Sequence, residues 1–147
     1  RAIAPATESY SPSDAQIAHH LANFIQQVRG LSVDPVVVRE NWLKAYEFVT
    51  SEAATTLSDY PAANDQFADI GRRSRTVDVI SVVRVSESSF QARWIEKTYE
   101  RGTLVNATRF TGLFFIVTKP PSDAATLRAN PLGIYVNAIS WSREMSQ

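Results

Sequence analysis

The hydrophobic period changes once along this chain, and that change limits the folds open to it. In the first half apolar residues recur at helical spacing; from Val77 onward they alternate. Ile17, Leu21, Phe24, Ile25, Val28 and Leu31 form one helical stripe. Ser11-Pro12-Ser13-Asp14 opens it, with Ser11 read as the N-cap and Pro12 in the first turn, and Gly30 closes it. Asp34-Pro35 repeats the start signal, and Val38, Trp42, Ala45, Tyr46 and Val49 predict a second helix over 35–50. A shorter helical stretch follows over Ser51–Tyr60. Pro61 is expected to break it, and Asn64–Ile70 to add a turn or two before Gly71.

The second half reads as strands. Ser74–Ser86 sets Val77, Val79, Val83 and Val85 on one face and Ile80 and Val82 on the other. Phe90–Arg101 sets Phe90, Ala92 and Trp94 opposite Gln91, Arg93 and Ile95, while its Glu96-Lys97-Thr98 reads as solvated. Thr108–Thr118 is apolar on both faces at Leu113–Val117, as a central strand is, and Gly112 marks a bulge or bend. Ser122 caps a short helical turn through Arg128. The final strand is launched from a corner, Asn130-Pro131-Leu132-Gly133. Asn130 is kept out of the helical region by the proline, and Gly133 is suited to a tight turn. Ile134, Val136 and Ala138 then share one face, and Tyr135, Asn137, Ile139 and Trp141 the other. Helices first and an antiparallel meander second make an α+β fold, a strongly curved four-stranded sheet cradling the first helix. Residues 1–10 lack periodicity and read as a lead-in or linker, leaving 11–147 as a single domain.

Fifteen basic residues balance fifteen acidic ones, which argues against nonspecific nucleic-acid or anionic-membrane binding by the domain as a whole. Without cysteine there is no disulfide, thiolate nucleophile or cysteine metal site. No apolar run approaches a membrane span and no signal peptide is evident. The start at Arg1 reads as a fragment or processed product whose targeting segment or anchor was cut away.

Candidate chemistry is sparse. His19 and His20 are adjacent on a helix, point about 100° apart and cannot share a metal, so both read as polar helix-surface residues. A cone-shaped cavity enzyme would use a carboxylate base, for which Asp78 and Glu96 are candidates, with Tyr99 or Tyr135 as donors. The acids alternate with basic neighbours, as solvated charges do. Arg72, Arg73 and Arg75 form the one basic cluster, and no aromatic platform surrounds it. Trp42, Trp94, Trp141, Phe114 and Phe115 are core material first. For Tyr135 and Trp141, core and interface are equally open, since an edge strand must be covered somehow.

Asn130, Pro131 and Gly133, with Tyr135, Val136 and the downstream Trp141-Ser142-Arg143-Glu144, resemble the end of TrbF-type conjugal transfer proteins. These are relatives of the eighth VirB component of type IV secretion systems. Ala4-Pro5-Ala6-Thr7 through Ile17, and Asp34-Pro35 with Asn41-Trp42-Leu43, extend the likeness over nearly the whole chain. The resemblance implies a nuclear-transport-factor-two-like fold. It also implies a single-pass bacterial inner-membrane protein with this domain in the periplasm, its membrane helix lying upstream. The expected role is non-enzymatic: scaffolding a secretion channel by weak self-association and by contacts with other components, without cofactor, metal, small-molecule substrate or nucleic acid. By the same analogy Asn130, Pro131 and Gly133 form a structural motif, and the Ser11–Arg29 helix with Tyr135, Asn137, Ile139 and Trp141 is the candidate interface. The reading from a different class is a small-molecule-binding protein, or an isomerase- or dehydratase-like enzyme, of the same cone-shaped fold.

Overall fold

A computed structural model describes residues 11–64 and 70–145, with side chains left aside over 61–64. The lead-in over 1–10 and most of the expected turn at 64–70 lie outside the described residues.

Helix α1 spans Asp14–Arg29. Its cap is Ser13 rather than Ser11, because Ser13 and Gln16 make a reciprocal capping box: the Gln16 amide donates to Ser13 Oγ (3.1 Å), and the Ser13 amide to Gln16 Oε1 (2.9 Å). Pro12 thereby falls one residue before the cap and is buried. The expected stripe of Ile17, Leu21, Phe24, Ile25 and Val28 is buried as read. Helix α2, Pro35–Ala45, is capped by Asp34, whose Oδ1 accepts from the Val36 amide (2.9 Å), and tightens into a 3₁₀ turn at Tyr46–Phe48. Helix α3, Ser51–Asn64, continues through Pro61 instead of stopping there. A proline in the last turns removes only one bond of the ladder, and the helix absorbs it.

Strands β1 (Arg73–Arg84), β2 (Ser89–Glu100), β3 (Thr103–Thr118) and β4 (Ile134–Arg143) form an antiparallel sheet in sequence order. Helix α4, Ala124–Ala129, lies between β3 and β4 and is capped by Asp123, not Ser122. The α+β fold with helices on a curved four-stranded sheet is as expected. The faces of β1 and β4 are not, because each strand carries a bulge. Ile80 is the extra residue between the pairs Val79–Trp94 and Ser81–Arg93. The alternation inverts there, so Val82 joins Val77 and Val79 against the core, while Ile80, Val83 and Val85 are exposed. Asn137 does the same in β4, between the pairs Phe115–Ala138 and Ile116–Val136.

Gly112 carries no bulge; its register with Ala92 and Trp141 is continuous. Its reason is close packing. A Cβ would meet Phe114 Cε1 at 2.8 Å and Trp94 Cη2 at 2.9 Å, so the bare backbone is the floor on which these rings rest.

Candidate functional site

Most of the residues singled out from the sequence lie at the corner before β4, in β4 itself or in the interior of the cone; Asp78, Tyr99, Arg73 and His19 lie elsewhere.

At the corner, Asn130 is buried and bridges forward by its side chain. Its Nδ2 donates to the Ile134 carbonyl (3.0 Å), and its Oδ1 accepts from the Ile134 amide (3.3 Å). The Asn130 amide donates back to the Thr126 carbonyl (2.7 Å), which closes the end of α4. Gly133 has φ +63°, and its carbonyl accepts from the Lys119 amide (2.7 Å), which ties the corner to the end of β3. Asn130, Pro131 and Gly133 thus stand in the turn from which β4 starts.

Along β4 the bulge divides the expected quartet. Tyr135 points away from the core, paired with Val117 in register and with Lys119 Nζ 6.0 Å from its ring. Asn137 Oδ1 accepts from Thr50 Oγ1 (2.8 Å). Ile139 and Trp141, past the bulge, turn inward and pack on the core. Trp141 lies edge-on to Trp94, Phe114 and Tyr60 at ring separations of 6.3, 6.1 and 5.6 Å. The four residues therefore do not share a face. Beyond β4, Glu144 reaches back over the sheet to accept from Arg93 (3.0 and 3.3 Å) and Thr111 (2.6 Å). These bonds hold its carboxyl below the usual carboxylate range.

The interior corrects the reading of Glu96. It is not solvated: at 5% exposure it sits on the core face of β2, two residues on from Trp94. Glu96 is ion-paired with Arg29 at the end of α1, itself 6% exposed, and Oε2 also accepts from Trp94 Nε1 (2.8 Å). Arg75 is turned inward as well, with its Nε 2.6 Å from the Arg29 carbonyl and 3.8 Å from Glu96 Oε1. Rings surround the Arg29 guanidinium: Phe110 at 4.3 Å, Trp141 at 4.7 Å, Tyr60 at 4.9 Å and Trp94 at 5.7 Å. Burial pushes the Tyr60 hydroxyl up from its ordinary value, against the opposing pull of Arg29 and Arg75.

Asp78 is exposed on the other face, opposite Ile95, so the two candidate acids do not converge. Tyr99 lies near the far end of β2, opposite Ser74, and Tyr135 points away from the cone. Arg73 pairs with Glu100 (2.5 Å), so the basic cluster is partly spent on structure. Among the described residues no group of His, Asp and Glu is placed to hold a metal.

His19 is exposed, but His20 is half-buried rather than on the surface, its ring 4.7 Å from Phe48 in an edge contact. Burial, then the His19 charge, pushes its imidazole down to about 4 from an ordinary 6.5, against a smaller opposing effect of the Ile134 backbone. The unfolded chain therefore takes the proton first. The contribution of His20 is complete above pH 6.5 and is lost as pH falls through 4. Allowing for its remaining exposure, we expect a loss of about 1–3 kcal/mol over that window. Urea midpoints at both ends of the window check this. An equal loss in His20→Leu would mean that another group is responsible.

A profile of the VirB8 family, described as VirB8 protein, matches residues 1–144. The chain belongs to the VirB8 family. Among its curated relatives is the conjugal transfer protein TrbF of Rhizobium radiobacter, 27% identical over 128 residues. That match takes in 85% of this chain and 58% of the relative, so the chain spans little more than half the relative's length. The fold is that of the TrwG component of the Bartonella birtlesii type IV secretion system (TM-score 0.82, 13% identity, 94% of this chain and 97% of that one). It is equally that of Agrobacterium tumefaciens VirB8 (TM-score 0.79, 13% identity, 93% and 98%). Within this VirB8-family domain, the cone is packed with the chain's own aromatic and charged side chains.

Proposed function

We propose that this domain is a non-enzymatic assembly part of a conjugative type IV secretion apparatus. In this reading it stands in the periplasm, tethered by a membrane helix upstream of Arg1, and scaffolds the inner-membrane channel complex through weak self-association and contacts with other components. The likeness to TrbF over most of the chain carries the reading. The interior supports it over the cavity-enzyme alternative, because the one acid buried among the described residues, Glu96, is paired with Arg29 and tied to Trp94. Among the described residues no helix is long and apolar enough to cross a membrane.

For the contact surface, the outward side of β4 at Tyr135 is the part of the expected interface that faces away from the core, whereas the Asn137 side chain is bonded to Thr50. Phe115 and Val117, both partly exposed, lie beside it on β3. Ile139 and Trp141 shape that surface from beneath. Tethering to a membrane raises effective concentration, so a contact too weak to see in dilute solution suffices there.

The full-length protein in spheroplasts tests both parts. Added protease should digest this domain while the membrane fraction keeps the tether; complete protection would overturn the placement. Tyr135→Arg in the same strain should cut cross-linked dimer and plasmid transfer several-fold, with the melting temperature within about 2 °C of wild type. Unchanged cross-linking and transfer would remove Tyr135 from the interface.

A further inference from the structure

A guanidinium is costly to bury, and Arg29 is surrounded by the groups with which proteins bind a foreign organic cation. The rings of Phe110, Trp141, Tyr60 and Trp94 lie 4.3–5.7 Å from its Cζ, within the range in which a ring quadrupole attracts a cation. Glu96 supplies the opposite charge, and the indole N–H of Trp94 holds that carboxylate in place. A cleft of about 200 Å³, bordered by Thr98, Asn106 and Arg143, reaches both Arg29 and Glu96. The Arg29 backbone is held independently of its side chain, since its carbonyl accepts from Arg75 Nε (2.6 Å).

We propose that the cone is a guanidinium-binding site that the chain fills from within: Arg29 is its resident ligand, and a free alkylguanidinium takes the same place once that side chain is shortened. The site belongs to the class of aromatic cages closed by a carboxylate, and its ligand is a planar cation with a short apolar stem.

Arg29→Ala tests this directly, because the atoms it removes are those of ethylguanidinium. The variant should melt well below wild type. Ethylguanidinium at tenfold over its dissociation constant should then raise its melting temperature by about 4 °C, saturably. Ethylammonium, with the same stem but no fork, should do less, and sodium chloride at equal ionic strength nothing. Wild type should not respond, its site being filled. Arg29→Ala combined with Glu96→Gln should not respond either, its site having lost the counter-charge. If Arg29→Ala is unfolded at 25 °C, the same titration is read as recovery of the folded circular dichroism signal. A rise of equal size in wild type or in the double variant would overturn the proposal. So would the absence of any saturable rise or recovery in Arg29→Ala up to 100 mM ethylguanidinium.

Discussion

Gly133→Ala is expected to lower the melting temperature by about 10 °C, corresponding to a loss of about 3 kcal/mol or more. Two effects add. The backbone there is at φ +63°, where any side chain is strained, at a cost of about 1 kcal/mol. A Cβ would also land inside the van der Waals shell of the Lys119 carbonyl oxygen, a backbone atom that cannot swing aside. Lys119 is the residue whose amide donates to Gly133, so relieving the clash would part the end of β3 from the start of β4. Gly102→Ala is the comparison that separates the effects. Gly102 has φ +84° with nothing within 4 Å of a Cβ, so it reports conformational strain alone. Thermal melts of the two variants should differ by at least about 5 °C. If they match, the corner yields and does not set the path of β4.

That corner was legible in the sequence because each residue acts on its own neighbours. Pro131 restricts Asn130, and Gly133 supplies the left-handed turn, whatever surrounds them. The helical stripe of α1 was legible for a related reason: a period of 3.6 survives small errors in the position of a cap. The faces of β1 and β4 were not. A period of two has no such tolerance, and one extra residue at Ile80 or Asn137 reverses every later side chain. Nothing local announces either bulge, since neither position is glycine. Trp141 therefore entered the core against a simple extrapolation of the strand, though its size alone argued for burial.

The interior is a different kind of miss. β2 has no bulge between Phe90 and Glu96, so strict alternation from Phe90 through Ala92 and Trp94 places Glu96 on the core face. The charged neighbours Lys97 and Glu100 outweighed that signal. Arg29 stands four residues after Ile25 on the buried stripe, and His20 three after Ile17, so both had positional marks. What no pattern supplied was the partnership: Arg29 and Glu96 are 67 residues apart, and only the closed sheet brings them together.

This partnership makes the second large effect. Glu96→Gln keeps the shape of the side chain and an oxygen to accept from Trp94 Nε1, but it removes the charge facing Arg29. A buried guanidinium left with rings and an amide for company is expected to cost about 3–5 kcal/mol, roughly 10 °C or more in melting temperature. Arg75, 3.8 Å from Glu96, adds to the penalty, since Glu96→Gln leaves two cations converging on a neutral group. Arg29→Met should also be destabilising, since it leaves the carboxylate only the Trp94 indole and the more distant Arg75. The combination of Arg29→Met with Glu96→Gln is the decisive variant. Methionine fills the ring-lined space with an apolar stem and glutamine still serves the indole, and the cation left beside them, Arg75, keeps its bond to the backbone carbonyl of residue 29. Its loss should be smaller than the sum of the two single losses by about 2 kcal/mol or more, measured as a coupling energy from urea unfolding. Strict additivity would mean that the two side chains contribute separately, through packing alone, and that the ion pair is incidental to holding α1 against the sheet. Strong coupling would mean that the pair is the bond by which the end of α1 is fixed over the cone. Because Trp141 is one of the rings around Arg29, the same bond then reaches β4 from below, the strand whose outer side carries Tyr135.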